Sequence, residues 1–289
     1  MQIFKHLLID KTKLQILRFG DCHFVPLEFP NDNDLKLEVF DNLLLKNLVE
    51  AREIHESGDV NKINVLNKSN DFLILHDGEI ITGAKQNRTV DKTVILQSRQ
   101  SQNIDVLCVE KGRWHSTGST FSSHNAKLGM NIRYSKELYN ENKQNTVWSE
   151  IDKLYQNHNT VSPTSDLCLL QEETNIDKSF NTEFKSKVFN KVYNGIIVKS
   201  PTINFIEIFY DYYIFENQIS KSLNSLLNFQ ENNENSNLNL DESLNNLKQS
   251  IWLKESKDTN ESSMSYSCST KGRAVFYNHK LVHLIYYFM

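Results

Sequence analysis

The stretch FLILHDGEIITGAKQNR, residues 72–88, decides how the rest of the chain is read. An apolar run, Phe72 to Leu75, meets the turn formers Asp77 and Gly78, and the chain then resumes at Ile80-Ile81. Past Gly83 it ends in four consecutive hydrogen-bonding side chains, Lys85, Gln86, Asn87 and Arg88. Short apolar runs bounded by turn residues are the mark of strands. The neighbouring segments repeat it: VNKINVL (60–66) before, KTVILQ (92–97) and IDVLCVE (104–110) after. In the last of these, Ile104, Val106 and Cys108 fall on one face and Leu107 and Val109 on the other. A strand apolar on both faces belongs inside a sheet that is covered on both sides. Short polar connections between the runs imply antiparallel pairing. The fold expected is α+β, an antiparallel, sandwich-like β core with packed helices.

Outward from this centre, residues 14–29 read as two short strands turning at Gly20-Asp21, with Pro26 suggesting that the second is an edge strand or that Pro26 falls among its first residues. Leu37, Phe40, Leu44, Leu48 and Ala51 recur at helical spacing and predict a helix over about 36–54. Residues 111–145, rich in Gly, Ser, Asn and Lys, read as an ordered loop region. Helices are expected at about 146–157, after Ser162-Pro163, around 178–191, at 212–228 and at 241–254. Strands are expected at 193–199 and 203–210, joined through Pro201-Thr202, and the apolar tail from Gly272 closes as a hairpin turning at Asn278. The tract at about 229–248 is low-complexity and Asn-rich and reads as an insertion in a single compact domain spanning 1–289.

At 289 residues with 39% hydrophobic and 24% charged residues, the chain can bury a substantial core and is not compositionally disordered. A net charge of -4 argues against a nucleic-acid binder, which needs a broad basic face. Cys22, Cys108, Cys168 and Cys268 lie far apart with no CxxC pair, which fits neither a zinc site nor a disulfide framework. The N-terminus lacks the features of a signal peptide, and charges interrupt every apolar run short of a membrane span. Cytoplasmic residence with reduced thiols is the expectation.

Gly78 to Lys85 looks at first like a phosphate loop, but Ala84 intervenes before the Lys and Gln86 stands where Ser or Thr should hold magnesium. His279 and His283 are four apart, which in a strand is roughly 13 Å, too far to share a metal. The residues point to no metal site and name no cofactor. Glu79 and Glu110 end two different strands, and if those ends adjoin they form an acid–base pair. The alternative is two carboxylates that are exposed or paired with cations. Lys85, Gln86, Asn87 and Arg88 suit an anion such as a phosphate, or else a polar turn that caps backbone groups. Arg113 beside Trp114 suits stacking on a base, against pairing with a carboxylate for Arg113 and a core role for Trp114.

The strings DGEIITGAKQNR and VLCVEKGRW, with VWSEI and SPT, resemble the ADP-ribosylglycohydrolase and rhodanese-phosphatase-associated protein domain. The resemblance runs from FGDCHFVPLEF through the strands at 193–210 to LVHL at 281–284. It implies a role around NAD or ADP-ribose metabolism, a nucleotide or ADP-ribose ligand, and protein partners of the ADP-ribosylglycohydrolase type. Glu79, Lys85, Gln86, Asn87, Arg88, Glu110, Arg113 and Trp114 match the family's polar pattern, while His76 and Asp91 depart from it. In one reading Lys85 and Arg88 hold phosphate, Gln86 and Asn87 orient the ligand, Trp114 stacks, and Glu79 or Glu110 acts as a hydrolase's acid–base group. In the other, a non-catalytic binding or scaffold domain, the same residues are a structural network with Glu79–Lys85 and Glu110–Arg113 pairs.

Overall fold

The computed structural model describes residue 4 and residues 15–19, 21–30, 34–173, 178–189, 192–225, 240–255, 263–268 and 272–288. The chain forms two compact units: residues 1–33, 177–219 and 228–289, and residues 34–176 and 220–227. The elements run β1 (Leu17–Phe19), β2 (Cys22–Leu27), β3 (Leu37–Val39), α1 (Phe40–Leu45), β4 (Val49–Glu53), β5 (Lys62–Asn67), β6 (Phe72–Leu75) and β7 (Glu79–Gly83). Next come β8 (Arg88–Val90), β9 (Val94–Leu96), β10 (Ser101–Cys108), β11 (Phe121–Lys127), α2 (Met130–Leu138), α3 (Lys143–Asn157), α4 (Leu167–Glu173) and α5 (Lys178–Val188). The chain closes with β12 (Gly195–Lys199), β13 (Asn204–Phe209), α6 (Tyr212–Leu223), α7 (Leu240–Gln249), β14 (Leu253–Lys254), β15 (Ser263–Cys268), β16 (Gly272–Tyr277) and β17 (Lys280–Phe288).

The first unit is built on an antiparallel sheet of order β1-β2-β12-β13-β17-β16-β15-β14. Val25, Leu27, Ile197, Ile206, Ile208, Leu284 and Tyr286 alternate onto one face and pack with Leu244, Leu247 and Trp252. The tail hairpin turns as the sequence predicts: Asn278 and His279 both take positive φ, 47° and 64°, the two-residue turn whose twist matches its strands. His279 sits in that turn, whereas His283 is buried in β17 with Nε2 3.1 Å from Glu207 Oε1.

In the second unit a six-stranded sheet, β11-β7-β8-β10-β5-β4, faces a three-stranded one, β3-β6-β9. Leu73, Leu75 and Leu96 from the small sheet share a core with Ala51, Val65, Ile81, Val90, Ile104 and Val106 from the large one. The opposite face of the large sheet gives Ile80, Leu107 and Val109 to a second core with Ile132, Val147, Ile151 and Leu170 from the helices. The two apolar faces read from residues 104–110 are thus both covered. Among the described residues the pairings in the unit are antiparallel except β3 with β6. The outer strands of the six-stranded sheet also touch, through a single bridge between Arg52 and Thr120 that curls it towards closure.

The Asp77-Gly78 turn joins strands of different sheets, so it is a corner and not a hairpin. Gly78 has φ +79°, and a Cβ there would stand 2.8 Å from Arg133 Cδ, so both backbone and space require glycine.

Three stretches depart from the sequence reading. The helix over 36–54 is instead β3, a short α1 and β4. Asn47 takes a left-handed φ of 56° and ends the helix, and Ala51 pairs with Val65, so sheet pairing overrides the coincidental helical spacing. Residues 111–145 contain β11 and α2. FSSHNAK has little strand propensity of its own and owes its conformation to pairing with β7. The helix after Ser162-Pro163 starts only at Leu167, where Asp166 Oδ1 accepts the N–H of Cys168 at 3.0 Å as a cap. Of the Asn-rich tract, residues 229–239 lie outside the described residues, and the helix expected over 241–254 runs Leu240–Gln249 before β14.

Candidate functional site

The turn between β7 and β8 is where the signature gathers. Its first residue, Ala84, has φ 41°, and its carbonyl accepts Nη1–H of Arg113 at 2.8 Å and the N–H of Thr117 at 2.9 Å. Arg113 organises the rest. Its Nε–H donates to both oxygens of Glu110, at 2.8 and 2.9 Å, and Nη2 lies 2.7 Å from Glu110 Oε2. Further donors reach the His115 carbonyl at 3.1 Å and, at 3.3 Å, the Gly83 carbonyl and Asn87 Oδ1. Asn87 donates its backbone N–H to Glu110 Oε2 at 3.1 Å and its amide Nδ2–H to Asp166 Oδ1 at 3.1 Å. Gln86 donates to the Glu110 carbonyl at 3.1 Å and accepts Nη1–H of Arg88 at 2.7 Å. The sequence-predicted segments 83–88 and 110–114 therefore meet, and Glu110, Arg113, Asn87, Gln86 and Arg88 are all buried.

Glu79 is elsewhere. Gly78 donates to Val90 at one end of β8, while Glu110 receives Asn87 at the other, about three residues or roughly 10 Å away. The two carboxylates do not form the acid–base pair that adjoining strand ends would have made. Glu79 Oε2 accepts the N–H of His76 at 2.7 Å, and Oε1 lies 3.0 Å from Lys221 Nζ. Lys221 also bonds Asp41 Oδ1 at 2.8 Å and Ser123 Oγ at 3.2 Å, and Ser123 donates to Asp41. Burial works against the Lys221 charge, but Glu79 and then Asp41 outweigh it and raise the ammonium's pKa above its ordinary value. The cation partner of Glu79 is thus Lys221, in place of the Lys85 expected from sequence.

A third network lies under the Asp77-Gly78 corner. Arg133 Nε–H donates to Asp77 Oδ2 at 2.8 Å, and Lys136 Nζ is 2.7 Å from Asp77 Oδ1. Lys136 also donates to the carbonyl of Asp91, and Lys143 Nζ bonds both carboxylate oxygens of Asp91 at 2.9 and 2.8 Å. Burial alone would raise both aspartates. Lys136 with Arg133 overturns that at Asp77, holding it well below the carboxylate range, and Lys136 with Lys143 brings Asp91 to about 2. Asp91, a departure from the family pattern in sequence, is thus a structural anion. Among the described residues no group of three His, Cys, Asp or Glu side chains is placed to hold a metal.

Trp114 and Lys85 mark the outer surface of the signature. Trp114 is 43% exposed, which rules out the core role. Lys85 Nζ and Arg88 Cζ lie 5.7 and 5.5 Å from the centre of its ring, within cation–π range. Arg88 has no exposed surface, and its Nε–H and Nη2 donors have no hydrogen-bond partner. Burial depresses its pKa, an effect Cys108 and Glu53 partly offset. Glu53 stands nearby at the end of β4, where Oε1 accepts the Lys85 N–H at 3.3 Å and the buried Oε2 has no hydrogen-bond partner. Glu53, Asp166, Lys221, Arg133, Lys136 and Lys143 were not singled out in the sequence. The three-residue spacing of Arg133 and Lys136, which puts two cations on one side of a helix, was the available signal.

Residues 14–287 match the ARG and Rhodanese-Phosphatase-superfamily-associated Protein domain, ARPP-1, over nearly the whole chain. The chain belongs to the ARPP-1 domain family. The ARPP-1 name ties it to the company of ARG, the ADP-ribosylglycohydrolase type, and of rhodanese-phosphatase-superfamily proteins. No curated protein and no solved structure matches the chain. In this ARPP-1 domain no helix among the described residues is long and apolar enough to cross a membrane.

Proposed function

We propose that this ARPP-1 domain is a non-catalytic binding domain of ADP-ribose metabolism, recognising a nucleotide of the ADP-ribose type alongside ADP-ribosylglycohydrolase-type partners. The observation that carries the non-catalytic part is the engagement of both candidate acids. Each oxygen of Glu110 is bonded by Arg113, and each oxygen of Glu79 by Lys221 or the His76 backbone. Hydrolysis at a sugar carbon requires a carboxylate that can reach the substrate, and paired carboxylates well apart do not supply that chemistry. Gln86, Asn87, Glu110 and Arg113 then hold the turn in shape. The binding part is supported by Trp114, an exposed ring flanked by two cations, which suits a base stacked on the indole and phosphates beside Lys85 and Arg88.

The test is a thermal-shift panel with NAD, ADP-ribose and mononucleotides on wild type, Lys85→Ala and Trp114→Ala. A ligand at about 100 times its dissociation constant adds roughly 2.7 kcal/mol, and both substitutions should abolish that gain while the ligand-free melting temperature stays put. The absence of a shift with every nucleotide refutes the ligand. Turnover of ADP-ribose conjugates that disappears in Glu110→Gln refutes the non-catalytic assignment.

A further inference from the structure

The orientation of Arg88 is specific. Its Nη1–H is taken by Gln86 Oε1 at 2.7 Å, which fixes the guanidinium plane and leaves Nε–H and Nη2 unmatched. Those two donors lie side by side on one edge of the guanidinium, the edge that grips a phosphate or carboxylate with two parallel hydrogen bonds. A fully buried arginine whose remaining neighbour is the Cys108 thiol, a weak acceptor, still calls for an anion, because a buried donor without a strong acceptor destabilises the fold. The demand next to it has the opposite sense. Glu53 Oε2 is a buried acceptor without a donor, and its charge acts on Arg88. The two are linked through Lys85 and Gly58. At Gly58, which has φ +76°, a Cβ would stand 2.7 Å from Lys85 Cδ and 3.3 Å from Glu53 Oε2, so only glycine lets the lysine stem and the carboxylate pass so close. Lys85 Nζ then reaches the Trp114 ring, on which Arg88 also rests. All five residues belong to the second unit, at the end of the six-stranded sheet where the Arg52–Thr120 bridge draws β4 and β11 together.

A bare anion answers only half of this arrangement, since Glu53 repels it. A neutral sugar answers only the other half. We propose that Arg88, Lys85, Glu53 and Trp114 form a subsite for a phosphorylated sugar, in which the phosphate takes the Nε–Nη2 edge of Arg88 with Lys85 alongside and a sugar hydroxyl donates to Glu53 Oε2. This rests on the nucleotide-binding reading and narrows it: recognition is directed at the sugar phosphate portion, with Trp114 covering it.

The experiment is calorimetric titration of the full chain with ribose 5-phosphate and with inorganic phosphate, in wild type, Glu53→Gln and Arg88→Lys. Ribose 5-phosphate should bind at least roughly tenfold tighter than inorganic phosphate, the scale of one hydrogen bond to a charged acceptor. Glu53→Gln, which keeps the shape and the bond to the Lys85 backbone, should erase that ratio and leave phosphate binding equal or tighter. Arg88→Lys keeps the charge, loses the two-donor edge, and should weaken both ligands roughly tenfold or more. A wild-type ratio near one, or a ratio that Glu53→Gln leaves intact, overturns the subsite even where Arg88→Lys does not fold. If ADP-ribose binds in a Trp114-dependent way without that ratio, the subsite falls and the nucleotide reading stands. If ribose 5-phosphate binds in a Glu53-dependent way and no nucleotide does, the subsite stands and the nucleotide reading falls.

Discussion

Replacing Arg113 with methionine keeps the aliphatic stem and removes every polar contact of the guanidinium. Glu110, 5% exposed, would then keep the Asn87 N–H but lose its cation, and the Ala84 and Gly83 carbonyls would each lose a donor. Removing one partner of a buried ion pair leaves an uncompensated charge and destabilises by roughly 3–5 kcal/mol. At roughly 2–4 °C per kcal/mol for a unit of this size, the melting temperature should fall by about 6–20 °C. The double variant Arg113→Met/Glu110→Leu removes the stranded charge as well and should recover about 1–3 kcal/mol of the loss. Urea unfolding of both variants, with the m-value checked for constancy, measures this directly. A single variant within about 1 kcal/mol of wild type would refute the reasoning. The 110–114 loop would then open readily to water, Glu110 would be free for chemistry, and the case against catalysis would fail.

Two further outcomes follow from the buried charges and thiols. The folded pKa of Asp91 is depressed to about 2 from an ordinary 3.8, so its stabilisation is complete above about pH 4 and is lost as pH falls towards 2. That loss is on the order of 2 kcal/mol, Asp77 extends it to lower pH, and Asp91→Asn should flatten the acid limb of a pH–stability curve. All four cysteines are buried; burial pushes the Cys22 thiol up to about 12 and also raises Cys108 and Cys168. A colourimetric thiol reagent at pH 8 should therefore label none of them in the native protein and all four in denaturant, and rapid native labelling would contradict the packing.

The β core was legible because its signal is local. Residues 104–110 carry apolar side chains on both faces, and both faces are indeed covered, by Leu73 and Leu96 on one side and Ile132 and Val147 on the other. The meeting of residues 83–88 with 110–114 was legible for the same reason, since polar ends of neighbouring strands fall together. What stayed hidden depended on distant packing. Arg133 and Lys136 sit in MNIRYSKEL, a segment whose charges suggest a solvent-facing surface, and only the Asp77-Gly78 corner turns them inward. Lys221 lies 142 residues from the Glu79 it neutralises, and nothing in the sequence near either residue announces the other. The helix misread over 36–54 failed because Leu48 and Ala51 continue a helical period by chance, and the partner that settles the matter, Val65, lies outside the window.

The Arg52–Thr120 bridge has a consequence for how this molecule meets others. Exposed strand edges are templates on which foreign strands add, in aggregation and in peptide capture alike. Here the two margins of the six-stranded sheet meet at that bridge, and the margins of the other sheets, β3, β9, β1 and β14, are only two or three residues long. Those short outermost strands offer a visitor only brief runs of backbone. A partner of this domain is therefore expected to be recognised by side chains and loops, Trp114 among them.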